Sequence, residues 1–248
     1  MAGQQLILSI ETSTGCGSIS VTRGGLDQGT ILAEATAQPE TTHSRRLLGS
    51  VDWVMSAAGI SWGQLDGVAI SLGPGSFTGL RIGMAAAKGI AFAAELPLLG
   101  VPTLEALVLA CPLSCSGCVW SLLDARKQEV FAACFQPIAP GRYQQVGDIL
   151  AIRPEKLLER LEGPAVMVGP GVDTYRDTFS VQDNLILVPA SFSAVRAARI
   201  GFLAAEQLAS GKILDPVSAA PLYVRASEAE INFLKKQNSD QANVGETP

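Results

Sequence analysis

The sequence predicts an α/β fold of two related lobes, each a mixed sheet with flanking helices. Two features support this prediction. A hairpin pattern opens each half, and in each half an apolar strand runs into Gly-Pro-Gly, at residues 73–75 and again at 169–171. Gly-Pro-Gly is common turn chemistry, so one copy would not exclude chance, but two features in the same order favour a duplicated lobe. We place the lobes at residues 1–103 and 104–226, followed by a polar tail at 227–248 that we expect to be disordered.

The first lobe begins with strands and continues with helices. Runs rich in β-branched and apolar residues predict an antiparallel meander at 6–10, 18–21 and 31–37. Apolar residues then recur at helical spacing through residues 44–58, and Gly59 ends that helix. A short strand at 67–72 leads into a glycine-rich loop at 73–79, and an alanine-rich helix follows at 80–94.

The first half ends with one more strand at 97–101, and a helix at 104–110 leads out of that lobe. The second half repeats this plan, and its strands are predicted at 119–123, 129–135 and 165–168. The strands at 119–123 and 129–135 flank an acidic turn at 124–127, so they form the counterpart of the first hairpin.

Composition excludes some classes of function. The 248 residues carry a net charge of −5, and most nucleic-acid affinity comes from Lys and Arg that displace counterions, so we expect the isolated chain to bind RNA poorly. No stretch reaches the roughly 18 uninterrupted apolar residues of a membrane span, and residues 1–13 lack the pattern of a signal peptide. We therefore expect a cytoplasmic protein that does not bind membranes.

Cysteine and histidine usage argues against a metal centre. Cys111, Cys115 and Cys118 form a C-x3-C-x2-C array like the cluster ligands of radical-SAM enzymes, but the array falls between a helix and a strand, without the supporting barrel. His43 is the only histidine, so a two-histidine metal site cannot form. A Ser-His-Asp triad stays open on count alone, although the sequence has no G-x-S-x-G elbow. We assign no metal ligand and no catalytic residue.

The glycine loop at 73–79 is a candidate anion site. It joins a strand to a helix, where unpaired N–H groups and the helix dipole favour phosphate or carboxylate. It is not a Walker loop, because Gly79-Leu80-Arg81 replaces Gly-Lys-Ser/Thr. The alternative is a tight elbow in which Ser76 or Thr78 caps the helix. Together with the turn after the first strand, the candidate residues for a nucleotide or another anion are Thr12, Ser13, Gly73, Gly75 and Ser76.

The helices at 44–58 and 80–94 are candidates for contact with a second polypeptide. The alternative is that they only pack on their own sheet, as most of their apolar positions must. The second helix is rich in Ala and Gly around much of its circumference, and a helix that is apolar on more than one side needs cover on more than one side. The predicted partner-binding residues are Leu47, Leu48, Val51, Val54, Met55, Leu80, Met84, Ala87 and Ala91.

One segment resembles the signature of a known family. The sequence GPGSFTGLRIG at 73–83, continued by AKGIA at 87–91, resembles the bacterial TsaB (YeaZ) family. Supporting matches are IETS at 10–13, HS at 43–44 with LL at 47–48, DAR at 124–126 with EVF at 129–131, and PLYVR at 221–225. The resemblance departs at Glu11, where the family usually has Asp.

The resemblance implies a two-lobed actin-like (ASKHA) fold and a part in making threonylcarbamoyladenosine next to the anticodon of tRNA. It implies a non-catalytic subunit that pairs with a TsaD-like catalytic subunit through the helices at 44–58 and 80–94. A TsaE-like ATPase would be a further partner, and tRNA would be reached only through the complex. We expect no cofactor of its own, with weakly bound ATP or ADP left open, and a homodimer when the partner is absent. The alternative is an actin-like nucleotide-binding protein with weak ATPase or phosphotransferase activity.

Overall fold

The computed structural model describes residues 4–15, 17–37, 47–111 and 117–225. The predictions for His43, for residues 44–46, for Cys115 and for the tail at 227–248 lie outside this part of the chain.

The first sheet has five strands in the order β3-β2-β1-β4-β5. They are β1 (Leu6–Glu11), β2 (Gly17–Arg23), β3 (Thr30–Ala37), β4 (Gly67–Gly73) and β5 (Leu98–Pro102). The pairs β1/β2 and β2/β3 are antiparallel, and β1/β4 and β4/β5 are parallel. The predicted meander and the two later strands are therefore confirmed.

The second sheet repeats this topology. Its strands are β6 (Cys118–Arg126), β7 (Glu129–Ala139), β8 (Arg142–Ile152), β9 (Ala165–Val168) and β10 (Leu185–Leu187). Their order is β10-β9-β6-β7-β8, which from the other edge reads β8-β7-β6-β9-β10 and matches the first sheet strand for strand. The predicted duplication is confirmed. The sequence analysis missed β8 and β10, because β8 is largely exposed and β10 is only three residues long.

Helices cover both faces of each sheet. They are α1 (Leu47–Ala58), α2 (Phe77–Ala93), α3 (Thr103–Val108), α4 (Pro154–Leu158), α5 (Pro170–Thr174), α6 (Arg176–Phe179) and α7 (Ala197–Ala209). Short 3₁₀ turns lie at Trp62–Gln64 and Ala190–Phe192. Helices α1 and α2 share one face of the first sheet, where Val54 and Met84 pack with Leu8 of β1. No helix in the described ranges is long and apolar enough to cross a membrane.

Helix α7 lies on the first sheet, although its residues fall in the range 104–226 predicted for the second lobe. Its Ile200 packs with Ile7 of β1, on the face opposite α1 and α2. A Cβ built on Gly201 would overlap the Thr22 hydroxyl, so this glycine lets the helix approach the sheet closely. Sequence periodicity shows that a helix has an apolar face but not which sheet that face covers. A single lobe boundary at 103/104 therefore assigns α7 to the second lobe, although it packs on the first sheet.

Candidate functional site

A cleft of about 690 Å³ lies between the two lobes. The first lobe contributes the turn after β1 and the loop that begins α2. The second lobe contributes the β6–β7 hairpin turn and the start of α5, and residues 222–225 complete the lining. Equivalent hairpins of the two sheets thus face one cleft, which is a consequence of the duplicated topology.

Two loops of the first lobe interlock at the floor of the cleft. The Ser76 N–H donates to the Ser13 carbonyl oxygen at 2.6 Å, and the Thr12 hydroxyl donates to the Gly79 carbonyl oxygen at 2.8 Å. A Cβ on Gly75 would overlap the Ser13 carbonyl, and one on Gly79 would overlap the Thr12 carbonyl. The glycines of the signature segment therefore permit close approach of two backbones.

This interlocking separates the predicted anion-site residues into two groups. Ser13, Gly75 and Ser76 line the cleft. Thr12 is buried with its hydroxyl bonded to the neighbouring loop, and a Cβ on Gly73 would lie 2.7 Å from the Leu222 carbonyl oxygen. The Ser76 hydroxyl accepts a hydrogen bond from the Gly79 N–H at 3.3 Å. Ser76 therefore caps α2, as in the alternative interpretation of the loop. Binding of an anion by this loop stays a prediction.

Glu11, at the end of β1, is completely buried beside the cleft. Its carboxylate accepts a hydrogen bond from the Ser13 N–H at 2.6 Å and a very short one from the Ser13 hydroxyl. Burial raises the pKa of Glu11 to about 7, and the hydrogen bonds from Ser13 offset part of that increase. The residue thus orients the turn at 13–15 and carries a charge that depends on pH near neutrality.

We expect the stability of the protein to fall between about pH 4.5 and pH 7 because of Glu11. Its pKa is about 7 in the folded chain and 4.5 ordinarily, so the folded state retains a proton that the unfolded state releases. The stabilisation is complete below the unfolded pKa and is lost as the pH rises through the folded pKa, by about 3 kcal/mol in total. Glu11→Gln should remove this dependence. Urea unfolding at several pH values would measure it, and equal pH slopes in both proteins would contradict the assignment.

The opposite wall of the cleft is the β6–β7 hairpin turn. Arg126, Lys127 and Gln128 have φ values of 61°, 53° and 61°, which is the left-handed conformation found in tight hairpin turns. The Asp124 carboxylate stabilises the turn by accepting a hydrogen bond from the Arg126 N–H at 2.8 Å. Arg126 and Lys127 line the cleft, and Asp124 is the single carboxylate among its described lining residues. Arg126 also lies 3.7 Å from the Asp124 carboxylate, so the turn presents two cationic side chains and one carboxylate that is paired with the first of them.

Segment 222–225 holds the two sides of the cleft together. Arg225 forms an ion pair with Glu129 at 2.8 Å and donates to the Ala125 carbonyl oxygen at 3.0 Å, which attaches the segment to the hairpin. On the first lobe, the Tyr223 ring lies 5.2 Å from the Phe77 ring, and its hydroxyl accepts from Arg81 Nε at 3.2 Å. The sequence analysis assigned these residues no site role, and its only signal was the family resemblance of PLYVR at 221–225.

The predicted partner surface needs correction. Eight of the nine residues are buried in the core of the chain itself and offer almost no surface to a second polypeptide: Leu47, Val51, Val54, Met55, Leu80, Met84, Ala87 and Ala91. The stripe at helical spacing faces the chain's own sheet. Leu48 is the exception, with 61% exposure, and the outer faces of the same helices also expose Trp53 (58%) and Phe92 (86%). We call Leu48, Trp53 and Phe92 the outer apolar residues.

Two sheets of identical strand order around a shared cleft define a two-lobed actin-like protein. Residues 30–233 match the family profile described as TsaD, tRNA N6-adenosine threonylcarbamoyltransferase. The chain is 31% identical over 232 residues to the tRNA threonylcarbamoyladenosine biosynthesis protein TsaB of Escherichia coli, covering 90% of this chain and 96% of that protein. The corresponding Bacillus subtilis protein is 26% identical, covering 93% of this chain and 99% of its own length.

A solved structure shows the same arrangement. YeaZ from Pseudomonas aeruginosa superposes with a TM-score of 0.75 at 26% identity, over 89% of this chain and all of that one. The chain therefore belongs to the TsaB (YeaZ) family, of the actin-like ASKHA superfamily.

Proposed function

We propose that the chain is a non-catalytic subunit in the biosynthesis of tRNA threonylcarbamoyladenosine, where it binds and supports a TsaD-like catalytic subunit. The observation that carries the proposal is its alignment with nearly the whole length of proteins named for this biosynthesis, including 96% of the Escherichia coli protein. Because the alignment spans both lobes, the relationship concerns the whole described fold rather than a shared loop.

The outer apolar residues support docking through the first lobe. Trp53 of α1 and Phe92 of α2 are exposed on helices that cover the same face of the first sheet. Near Phe92, Gly89 has no atom within 4 Å of the position a Cβ would take, so a partner could approach α2 closely there. Large aromatic residues are enriched at protein interfaces relative to the rest of the surface.

The residue composition of the chain favours a non-catalytic role beside a catalytic subunit. Its single histidine, His43, cannot form a two-histidine metal site, so the metal chemistry would belong to the TsaD-like subunit. With a net charge of −5, the chain would reach tRNA only through the complex. We propose a TsaE-like ATPase as the further partner.

A second candidate function is nucleotide binding with weak ATPase or phosphotransferase activity. The observation that favours it is the interlobe cleft, which places Arg126 and Lys127 opposite the loop that begins α2. In this reading ATP or ADP would be the weakly bound ligand. Steady ATP turnover by the isolated chain would support it.

Reconstitution tests the proposal. Supplied with tRNA, ATP and an activated threonylcarbamoyl donor, purified TsaD-like and TsaE-like subunits should form threonylcarbamoyladenosine at least tenfold more slowly without this chain than with it. Analysis of the nucleosides of the treated tRNA by mass spectrometry measures the product. The proposal is wrong if omission of the chain leaves the rate unchanged, or if the chain modifies tRNA without another subunit. ATP turnover is measured separately with the isolated chain, and steady turnover there would support the second candidate function.

A further inference from the structure

A second cavity, of about 280 Å³, shares no lining residue with the cleft. It lies where the loop between β2 and β3 meets the β7–β8 turn and the start of α7. Its walls are mainly apolar, with Leu26, Ile31, Leu109 and Phe202 among them. Its charged lining residues are Asp27, Arg196 and Arg199. A mostly apolar cavity with a few charged groups is the usual composition of a small-molecule site.

Arg142, at one side of the cavity, is already paired with carboxylates of the chain. Arg142, the first residue of β8, donates to both carboxylate oxygens of Glu206 in α7, at 3.0 and 2.8 Å. It also forms an ion pair with Asp27 at 2.9 Å. Arg142 thus has two carboxylate partners and no free charge to offer a ligand.

The polar groups at the start of α7 also have partners within the chain. Arg196 forms a close ion pair with Glu34. The other Glu34 oxygen accepts from the Ala198 N–H at 2.9 Å, and the Ser18 hydroxyl oxygen accepts from the Ala197 N–H at 3.1 Å. The first N–H groups of the helix therefore have partners, and the helix end is not an open anion site.

Arg199 differs from its neighbours because no carboxylate pairs with it among the described residues. Its one hydrogen bond there is from Nη1 to the Ala194 carbonyl oxygen, at 3.1 Å. Burial, and next the positive charge of Arg196, lower the pKa of Arg199 to about 10, and the negative charge of Glu34 opposes part of this decrease. A partly buried guanidinium without an anionic partner is unfavourable, and a bound anion would remove that penalty.

We propose that this cavity binds a small monocarboxylate, with the carboxylate on Arg199 and an apolar body against the walls. Planar carboxylates suit bidentate contact with a guanidinium. Arg142 and Arg196 are already paired with carboxylates, so Arg199 is the one arginine of this group without an ion-pair partner in the described chain, and a ligand with a single carboxylate would supply one. Inorganic phosphate has no apolar body and would gain nothing from the apolar walls.

Hexanoate is the probe that tests this site, titrated into the full chain and followed by calorimetry. We expect binding that Arg199→Met weakens at least tenfold, since methionine keeps the apolar volume and removes the charge. Arg160→Met is the matched control, because Arg160 is exposed and outside the cavity, and it should bind as the unaltered chain does. 1-Hexanol and inorganic phosphate should each bind at least tenfold more weakly than hexanoate.

The unaltered protein supplies an independent readout if Arg199→Met does not fold. Hexanoate should shift the NMR signals of Ile31 and Phe202, which line the cavity, and leave those of Tyr223 in the cleft unchanged. The proposal is overturned by hexanoate binding that Arg199→Met does not weaken, by equal binding of phosphate, or by NMR shifts confined to the cleft. Absence of hexanoate binding at millimolar concentration also overturns it.

Discussion

Gly79→Ala should destabilise the protein by about 4 kcal/mol, the effect of forcing an atom into a site that has no room for it. A Cβ at this position would overlap the carbonyl oxygen of Thr12. That oxygen belongs to the backbone, so no side-chain rotation can remove the overlap, and either α2 or the turn after β1 must move. Such movement would also disturb the hydrogen bond from the Thr12 hydroxyl to the Gly79 carbonyl.

Gly89→Ala is the matched control because it makes the same change in the same helix. Gly89 is exposed, and the place of its Cβ is open, so alanine should stabilise the protein by roughly 0.5–1 kcal/mol through its higher helix propensity. Urea unfolding followed by circular dichroism measures both variants. A similar stability for the two would show that the collision at Gly79 is relieved by a small adjustment and that the two loops are not rigidly interlocked.

The glycine segment shows how far sequence reasoning reaches. The apolar run at 67–72, followed by closely spaced glycines, predicted a strand, a tight loop and a helix, and the structure has β4, the loop and α2 in that order. The sequence could not show why position 79 requires glycine, because the residue that it contacts, Thr12, is 67 positions away in the chain. Local patterns report local conformation, whereas a close backbone contact depends on how the elements pack.

Helix α1 shows a second limit. Spacing correctly identified an apolar stripe through Val51 and Val54, but the stripe was assigned to a partner when it covers the chain's own sheet. The better signal for an interface is a large apolar residue off the stripe, as at Leu48 and Trp53, because no fold requirement explains its position. The charged network around Arg142 had no sequence signal, since its three members come from separate segments.

Trp53→Asp and Phe92→Asp should each weaken binding to a TsaD-like subunit at least a hundredfold, and together they should abolish it. Central aromatic residues of an interface commonly contribute 2–4 kcal/mol each, and an aspartate placed there would be desolvated without a partner. Both positions are exposed in the isolated chain, so its stability should hardly change. Charges at Val51 or Met84 cannot test the docking face, because those side chains are buried in the chain's own core.

Val181→Asp is the control for this pair of variants, because Val181 is a similarly exposed apolar residue, at 74%, and follows α6 on the second lobe. It should bind the TsaD-like subunit as the unaltered chain does. Surface plasmon resonance with the immobilised subunit gives the dissociation constants, and urea unfolding confirms that each variant is folded. If Trp53→Asp and Phe92→Asp bind normally, the outer faces of α1 and α2 are not the docking surface. Loss of binding in Val181→Asp alone would place that surface on the second lobe, since only there would a new charge have been desolvated.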